Sequence, residues 1–181
     1  MAYIIVKDNK FYVVVDSEPG PELNGMGTVY NFSPNSEHIV YTAKKDTQQV
    51  IVYDQKILGS YEGIGGNILF SLDSERLAYA IKEGNSWQIF VDGKAGNKYE
   101  MSGGMSFSPD GKHFVYVAKK GDKFTVVLDG VEKGTFENIS SFPIFSKDSQ
   151  HVALYAKESN NSFMVVDGEA GTKYEKIICD I

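Results

Sequence analysis

The sequence predicts an all-β chain built from five copies of one four-stranded unit, and three recurring markers predict it. The first is a Phe-Ser step: FSPNSEHIVYTAK from Phe32, FSLDSERLAYAIK from Phe70, FSPDGKHFVYVAK from Phe107 and FSKDSQHVALYAK from Phe145, spaced by 38, 37 and 38 residues. The second is an aspartate closing an apolar run, at Asp16, Asp54, Asp92, Asp129 and Asp167. The third follows seven residues later, at Leu23, Tyr61, Tyr99, Phe136 and Tyr174, the last four each followed by a glutamate. Three markers in register over five copies reflect a fixed period.

Each unit reads as four strands. Strand A is a brief apolar run ending in Phe-Ser, as in NILFS (67–71). The turn after it, SPDG (108–111) in one copy, has Pro at its second position and Asp-Gly at its end, which supply the dihedrals of a tight reversal. Strand B is of the HFVYVA type (113–118) and strand C of the FTVVLD type (124–129). Both are rich in valine, isoleucine, tyrosine and phenylalanine, which suit a pleated surface. An Asp-Gly pair then turns the chain into strand D, GTFENI (134–139). No long run carries helical periodicity. Four strands recurring every 37–38 residues predict a β-propeller, whose blades are four-stranded antiparallel sheets around a central channel. The long apolar runs agree, because each blade is flanked by neighbours and buries both faces.

The ends set the blade count. Tyr3 lies 13 residues before Asp16, as Tyr41, Tyr79 and Tyr116 lie before their own aspartates, so residues 2–7 read as a B strand with no A strand ahead of it. The spacing from Phe145 places the next A-strand phenylalanine at 182 or 183, so IICDI (177–181) reads as an A strand up to Ile181. The expected architecture is a small five-bladed β-propeller, closed by pairing the C-terminal strand with the N-terminal blade so that no edge is exposed. Its blades would be 1–28 plus 177–181, 29–66, 67–103, 104–140 and 141–176, in a single monomeric domain. The rival is a piece of a larger propeller, closed by pairing between chains.

Composition narrows the function classes. Of 181 residues, 42% are apolar and 13% aromatic, enough for a packed core. Lysine plus arginine total 18 against 24 acids, a net charge of −6, which argues against nonspecific nucleic-acid binding. No run approaches the ~18 consecutive apolar residues of a membrane helix. The opening MAYIIVKDNK meets charge too early for a secretory signal. The single cysteine, Cys179, has no internal disulfide partner; with no signal, a cytoplasmic location is expected.

The FSPDGKHFVYVA segment resembles the TolB-like, WD-like β-propeller repeat, whose hallmark is an aromatic-Ser-Pro-Asp-Gly-Lys turn between strands A and B. The VVDG…G…YE portion (165–175) looks like the downstream half of the same repeat, and the resemblance spans nearly the whole chain. SLDSER (71–76) and SKDSQH (146–151) depart from the turn consensus. The resemblance implies the fold; such repeats serve as binding modules, assembly partners and non-catalytic domains of peptidases, so function has to be argued from a site.

A residue present in every copy is most simply explained by the fold. His38, His113 and His151 each lie 16 residues before an aspartate, with Arg76 at the equivalent place. Set in different blades, the histidines point apart and do not converge on one metal ion. GIGG (63–66) and SGGM (102–105), between strands D and A, are followed by a strand, whereas a dinucleotide loop opens a helix. No cofactor, metal site or catalytic set is expected. A channel hydrolase would need converging carboxylates, and Asp180 is the one acid noted on an A strand. The candidate contact residues are Glu62, Glu100, Glu137 and Glu175 near the ends of D strands, with Lys44, Lys82, Lys119 and Lys157 at the ends of B strands. Both sets approach one face, because the D–A and B–C loops share one end of a blade. They read first as Lys–Glu pairs of a polar rim and second as a ring that contacts a ligand. Trp87 stands where other copies have Phe11 and Phe124, which favours packing over ligand stacking. The loop SEPGPELNG (17–25) has two prolines of its own, and Met26 and Met101 lie in loops of the same face. The expected function is a non-enzymatic binding module using that face, with a protein or peptide partner ahead of a glycan, because aromatic residues in those loops are few.

Overall fold

The computed structural model describes residues 1–178, and among these every regular element is a β-strand. The strands form five sheets in chain order. The first sheet holds β1 (Ala2–Lys7), β2 (Lys10–Val15) and β3 (Glu18–Pro19). The second holds β4 (Gly25–Phe32), β5 (Ile39–Lys45), β6 (Gln48–Tyr53) and β7 (Lys56–Tyr61). The third holds β8 (Gly63–Phe70), β9 (Leu77–Glu83), β10 (Ser86–Val91) and β11 (Lys94–Tyr99). The fourth holds β12 (Met101–Phe107), β13 (Phe114–Lys120), β14 (Lys123–Leu128) and β15 (Val131–Phe136). The fifth holds β16 (Asn138–Ile139) and β17 (Ile144–Phe145), two pieces of one inner strand, with β18 (Val152–Glu158), β19 (Asn161–Val166) and β20 (Glu169–Ala170). Every sheet is an antiparallel meander.

The repeated aspartate explains the C–D reversals. Asp16, Asp54, Asp92, Asp129 and Asp167 all adopt positive φ, and so does the residue after each. That pair of left-handed residues makes the two-residue hairpin turn whose twist matches the strands, and Asp-Gly is its favoured pair. The carboxylate does a second job. One oxygen accepts the main-chain N–H that opens strand B, from Ile39, Leu77, Phe114 or Val152, at 2.8–3.0 Å. The other meets His38, Arg76, His113 or His151 at 2.6–2.9 Å. Each histidine is therefore spoken for by the aspartate of its own sheet. In the first sheet the amine of Met1 stands in the main-chain position and bonds Asp16.

The A–B turns repeat just as closely. Ser33, Ser71, Ser108 and Ser146 each donate a hydroxyl to the acid or amide two residues on. The same Oγ accepts the main-chain N–H of His38, Arg76, His113 or His151. Arg76 additionally donates to the Gly111 and Lys112 carbonyls of the fourth sheet, at 3.0 and 2.8 Å.

Four apolar cores lie between successive sheets. Val13, Leu23, Tyr41 and Val50 join the first sheet to the second; Val40, Tyr61, Ile68 and Tyr79 join the second to the third. Tyr99, Phe114, Tyr116 and Ile89 join the third to the fourth; Val115, Phe136, Leu154 and Phe163 join the fourth to the fifth. Neighbours such as Val40 and Tyr41 enter different cores because successive residues of a strand point to opposite faces. Burial pushes the Tyr41 phenol up to about 12 and raises those of Tyr79 and Tyr116 as well.

The structure revises three expectations. The glycines of 63–66 and 102–105 lie inside strands β8 and β12, not in loops ahead of them; the register shifts there, so the strands run on through a bulge. The strand expected at 134–139 divides instead: β15 begins straight after the two-residue turn, and Asn138–Ile139 has crossed into the fifth sheet. The sheets consequently change at the glutamates, three or four residues ahead of the blade limits read from the sequence. The first sheet has three strands, and no strand pairs with the outer edge of β1 among the described residues. Of the expected closing segment, Cys179, Asp180 and Ile181 lie outside the described residues. Ile177 and Ile178 are not in a strand, and the Ile177 carbonyl accepts a bond from Tyr155 of the fifth sheet at 2.8 Å.

Candidate binding face

The end of the molecule that carries the B–C turns and the crossings between sheets holds the residues singled out by the sequence. The glutamates are stitches. Glu62 sits between β7 and β8 and accepts the Gly84 N–H of the third sheet's B–C turn at 2.7 Å. Glu100 does the same for Gly121 at 3.0 Å, and Glu137 for Ser159 at 2.7 Å. Asn24 stands at the equivalent crossing and accepts the Asp46 N–H at 2.8 Å. Each carboxylate thus caps the next sheet's hairpin and does not pair with the lysine beside it. Glu175, exposed, follows the Tyr174–Ser162 bridge in the fifth sheet.

The four lysines end their B strands as expected, opposite Gly25, Gly63, Met101 and Asn138. Lys119 lies over the Phe124 ring, 5.9 Å from its centroid. Trp87 packs against the core between the third and fourth sheets, with Gly65 beside it: a Cβ there would sit 3.5 Å from the indole. Ser102 faces that same core by its pairing with Ala118, where the other sheets place Met26, Ile64 and Ile139. A small residue on one sheet thus faces a large one on the next, and the buried Ser102 Oγ has no hydrogen-bond partner among the described residues.

The residue second along strand C differs from joint to joint. Trp87 packs into this end of the joint after the third sheet, whose other end keeps a cavity of about 420 Å³ lined by Ile89, Gly96, Phe114 and Tyr116. Gln49 leaves a cavity of about 320 Å³ after the second, and its amide oxygen accepts the Ile64 N–H at 3.1 Å. After the fourth sheet, beside Phe124, lies a cavity of about 570 Å³. Its walls are Met101, Ser102, Gly103, Gly104, Val117 and Phe124 on one side and Ile139, Ser140, Ser141 and Phe142 on the other. Phe142 is 78% exposed at its mouth.

Met101 is singled out by the sequence, as is Met26, which lines the smaller cavity. Ser140–Pro143 is not. The available signal was SSFP in place of the glycine-rich bulge of the other inner strands, which splits the strand into β16 and β17.

No family model matches the sequence, and no curated protein matches it either. Solved structures share its fold. TolB from Acinetobacter baumannii superposes with a TM-score of 0.52 at 21% identity, over 93% of this chain and 49% of its own. The β-propeller domain of the Trilobed protease from Pyrococcus furiosus, described as having an open velcro topology, gives 0.55 at 17% identity, over 93% of this chain and 66% of its own. An acylaminoacyl peptidase, in complex with Z-Gly-Gly-Phe-chloromethyl ketone, gives 0.52 at 16% identity, over 93% of this chain and 39% of its own. The chain therefore has the β-propeller fold and spans about half the length of the TolB structure.

Proposed function

We propose that this chain is a non-enzymatic recognition module whose contact site is the cavity between the fourth and fifth sheets. Its partner is a protein or peptide segment that inserts an apolar side chain. The observation that carries this reading is the make-up of the walls. Met101, Val117, Phe124, Ile139 and Phe142 line about 570 Å³, with serines and glycines between them and no acid or base among the lining residues. Walls of this kind gain from removing apolar surface from water, at roughly 25 cal/mol per Å². They supply no proton donor–acceptor pair for bond chemistry. Met101 and Phe142, both exposed, form an adaptable rim. A glycan would favour an aromatic platform ringed by polar side chains, and Trp87 is committed to the core.

Selection from a displayed random-peptide library tests the reading. Enriched peptides are expected to carry an apolar anchor and to bind the Phe142→Asp variant at least ten-fold more weakly, with its thermal midpoint unchanged. Peptides that bind wild type and variant alike would place recognition elsewhere.

A further inference from the structure

A cation neighbours two walls of the larger cavity. Lys119 follows Val117 by two residues on β13 and so faces the same side of the sheet. Its cross-strand neighbours are Met101 on β12 and Phe124 on β14, and both are cavity walls. Its ammonium stands over the Phe124 ring, an arrangement that holds it beside the opening.

The neighbouring acids are engaged elsewhere. Glu100 and Glu137, which flank the joint, accept the turn amides of Gly121 and Ser159. Glu132 lies 4.0 Å from Lys120, whose side chain points to the opposite face. Among the described residues Lys119 makes no ion pair.

From this juxtaposition, which rests on the reading of the cavity given above, we infer that the site takes the C-terminal residue of a peptide: the apolar side chain enters the cavity and the terminal carboxylate meets Lys119. An α-carboxylate is the anion that necessarily sits one carbon from a side chain, which suits an ammonium at the lip of an apolar recess. The smaller cavity also has a lysine, Lys44, in its wall, but there Gln49 replaces the phenylalanine and puts a polar side chain where the larger cavity has an apolar one.

N-acetyl-leucine and N-acetyl-leucinamide differ only in the charge at that position. Titrated separately into the 15N-labelled protein at low ionic strength, both are expected to shift the amides of Gly103, Gly104, Ser140 and Ser141. The acid is expected to bind roughly two- to five-fold more tightly, the scale of one solvent-accessible ion pair. Lys119→Met, which keeps the stem over Phe124, is expected to abolish that preference and leave the amide's affinity as it was. Equal affinities in the wild type, or a preference that survives Lys119→Met, would overturn the assignment of Lys119 while leaving the apolar cavity as the contact site. Failure of both probes to move these amides would overturn the cavity reading itself.

Discussion

Tyr3 and Tyr79 occupy the same place in their units, yet one is 48% exposed and the other 3%. The inner sheets repeat the second case: Tyr41 and Tyr116 are 0% and 3% exposed. The far end of the chain repeats the first, since Tyr174 is 55% exposed while its counterparts Leu23, Tyr61, Tyr99 and Phe136 are all buried. The B–C hairpins and their turns do not change with them, although the fourth strands β3 and β20 shrink to two residues against six in the inner sheets. β1 and β2 pair over six residues like any inner B–C hairpin, Asp16 holds its turn, and Tyr174 bridges Ser162 as Leu23 bridges Phe11. The B–C hairpins and turns are thus set within a unit, whereas burial is conferred by the neighbouring unit.

The sharpest way to break this comparison is truncation at equivalent sites. Tyr79→Ala is expected to cost about 3–5 kcal/mol, the range for emptying a large aromatic site in a core, and Tyr3→Ala less than about 1 kcal/mol. Urea unfolding measures both; a comparable loss at Tyr3 would mean that β1 is covered in solution. A smaller contrast lies in the turn cation. Arg76→Ala removes bonds to Asp92, Gly111 and Lys112 that tie the third sheet to the fourth, for a loss of about 1–3 kcal/mol. His151→Ala is expected to cost less, because its ring bonds only Asp167 and its side chain is 62% exposed.

The gentlest probe is pH. The Asp167 carboxylate, by its hydrogen bond and charge, raises the His151 imidazole, and the histidine in turn lowers Asp167. A base held above its unfolded value stabilises fully below that value, near 6.5, and loses the contribution as pH rises through the folded one. A shallow fall in melting temperature is therefore expected as pH rises above 6.5, and His151→Gln is expected to flatten it. The Ser108 hydroxyl and the Lys112 amide hold Asp110 down at about 2, so its contribution is present above the ordinary carboxylate value and fades as pH drops toward 2. In the inner sheets, Tyr41 acts at the alkaline end: its contribution holds below 10 and is lost as pH climbs toward about 12.

Much of the fold was legible because its signals are local. Phe-Ser, the turn aspartate and the alternating strands each act within a few residues, so β1, the hairpins and the repeat could be read directly. The role of the glutamates could not, because Glu62 acts on Gly84, 22 residues away in the next sheet. The cavity was hidden for a related reason. One residue fewer separates Tyr99 from Phe107 than separates Tyr61 from Phe70, so counting back from the phenylalanine puts Met101 where the register puts Ser102. A bulge absorbs the difference, and only the pairing shows which side chain turns inward. The closing strand was an inference about distant ends, and the described residues leave the outer edge of β1 without a partner.

The forward reach of those carboxylates makes the molecule divisible in a particular way. A cut just after one glutamate and a rejoining just after another would exchange one whole module while keeping a carboxylate at the new seam, facing a hairpin amide of the kind it already holds. Shortened or lengthened arrays made by excision or duplication at these points would inherit intact glutamate seams, leaving the copy-specific contacts, such as Arg76 to Gly111 and Lys112, as the ones to be matched anew.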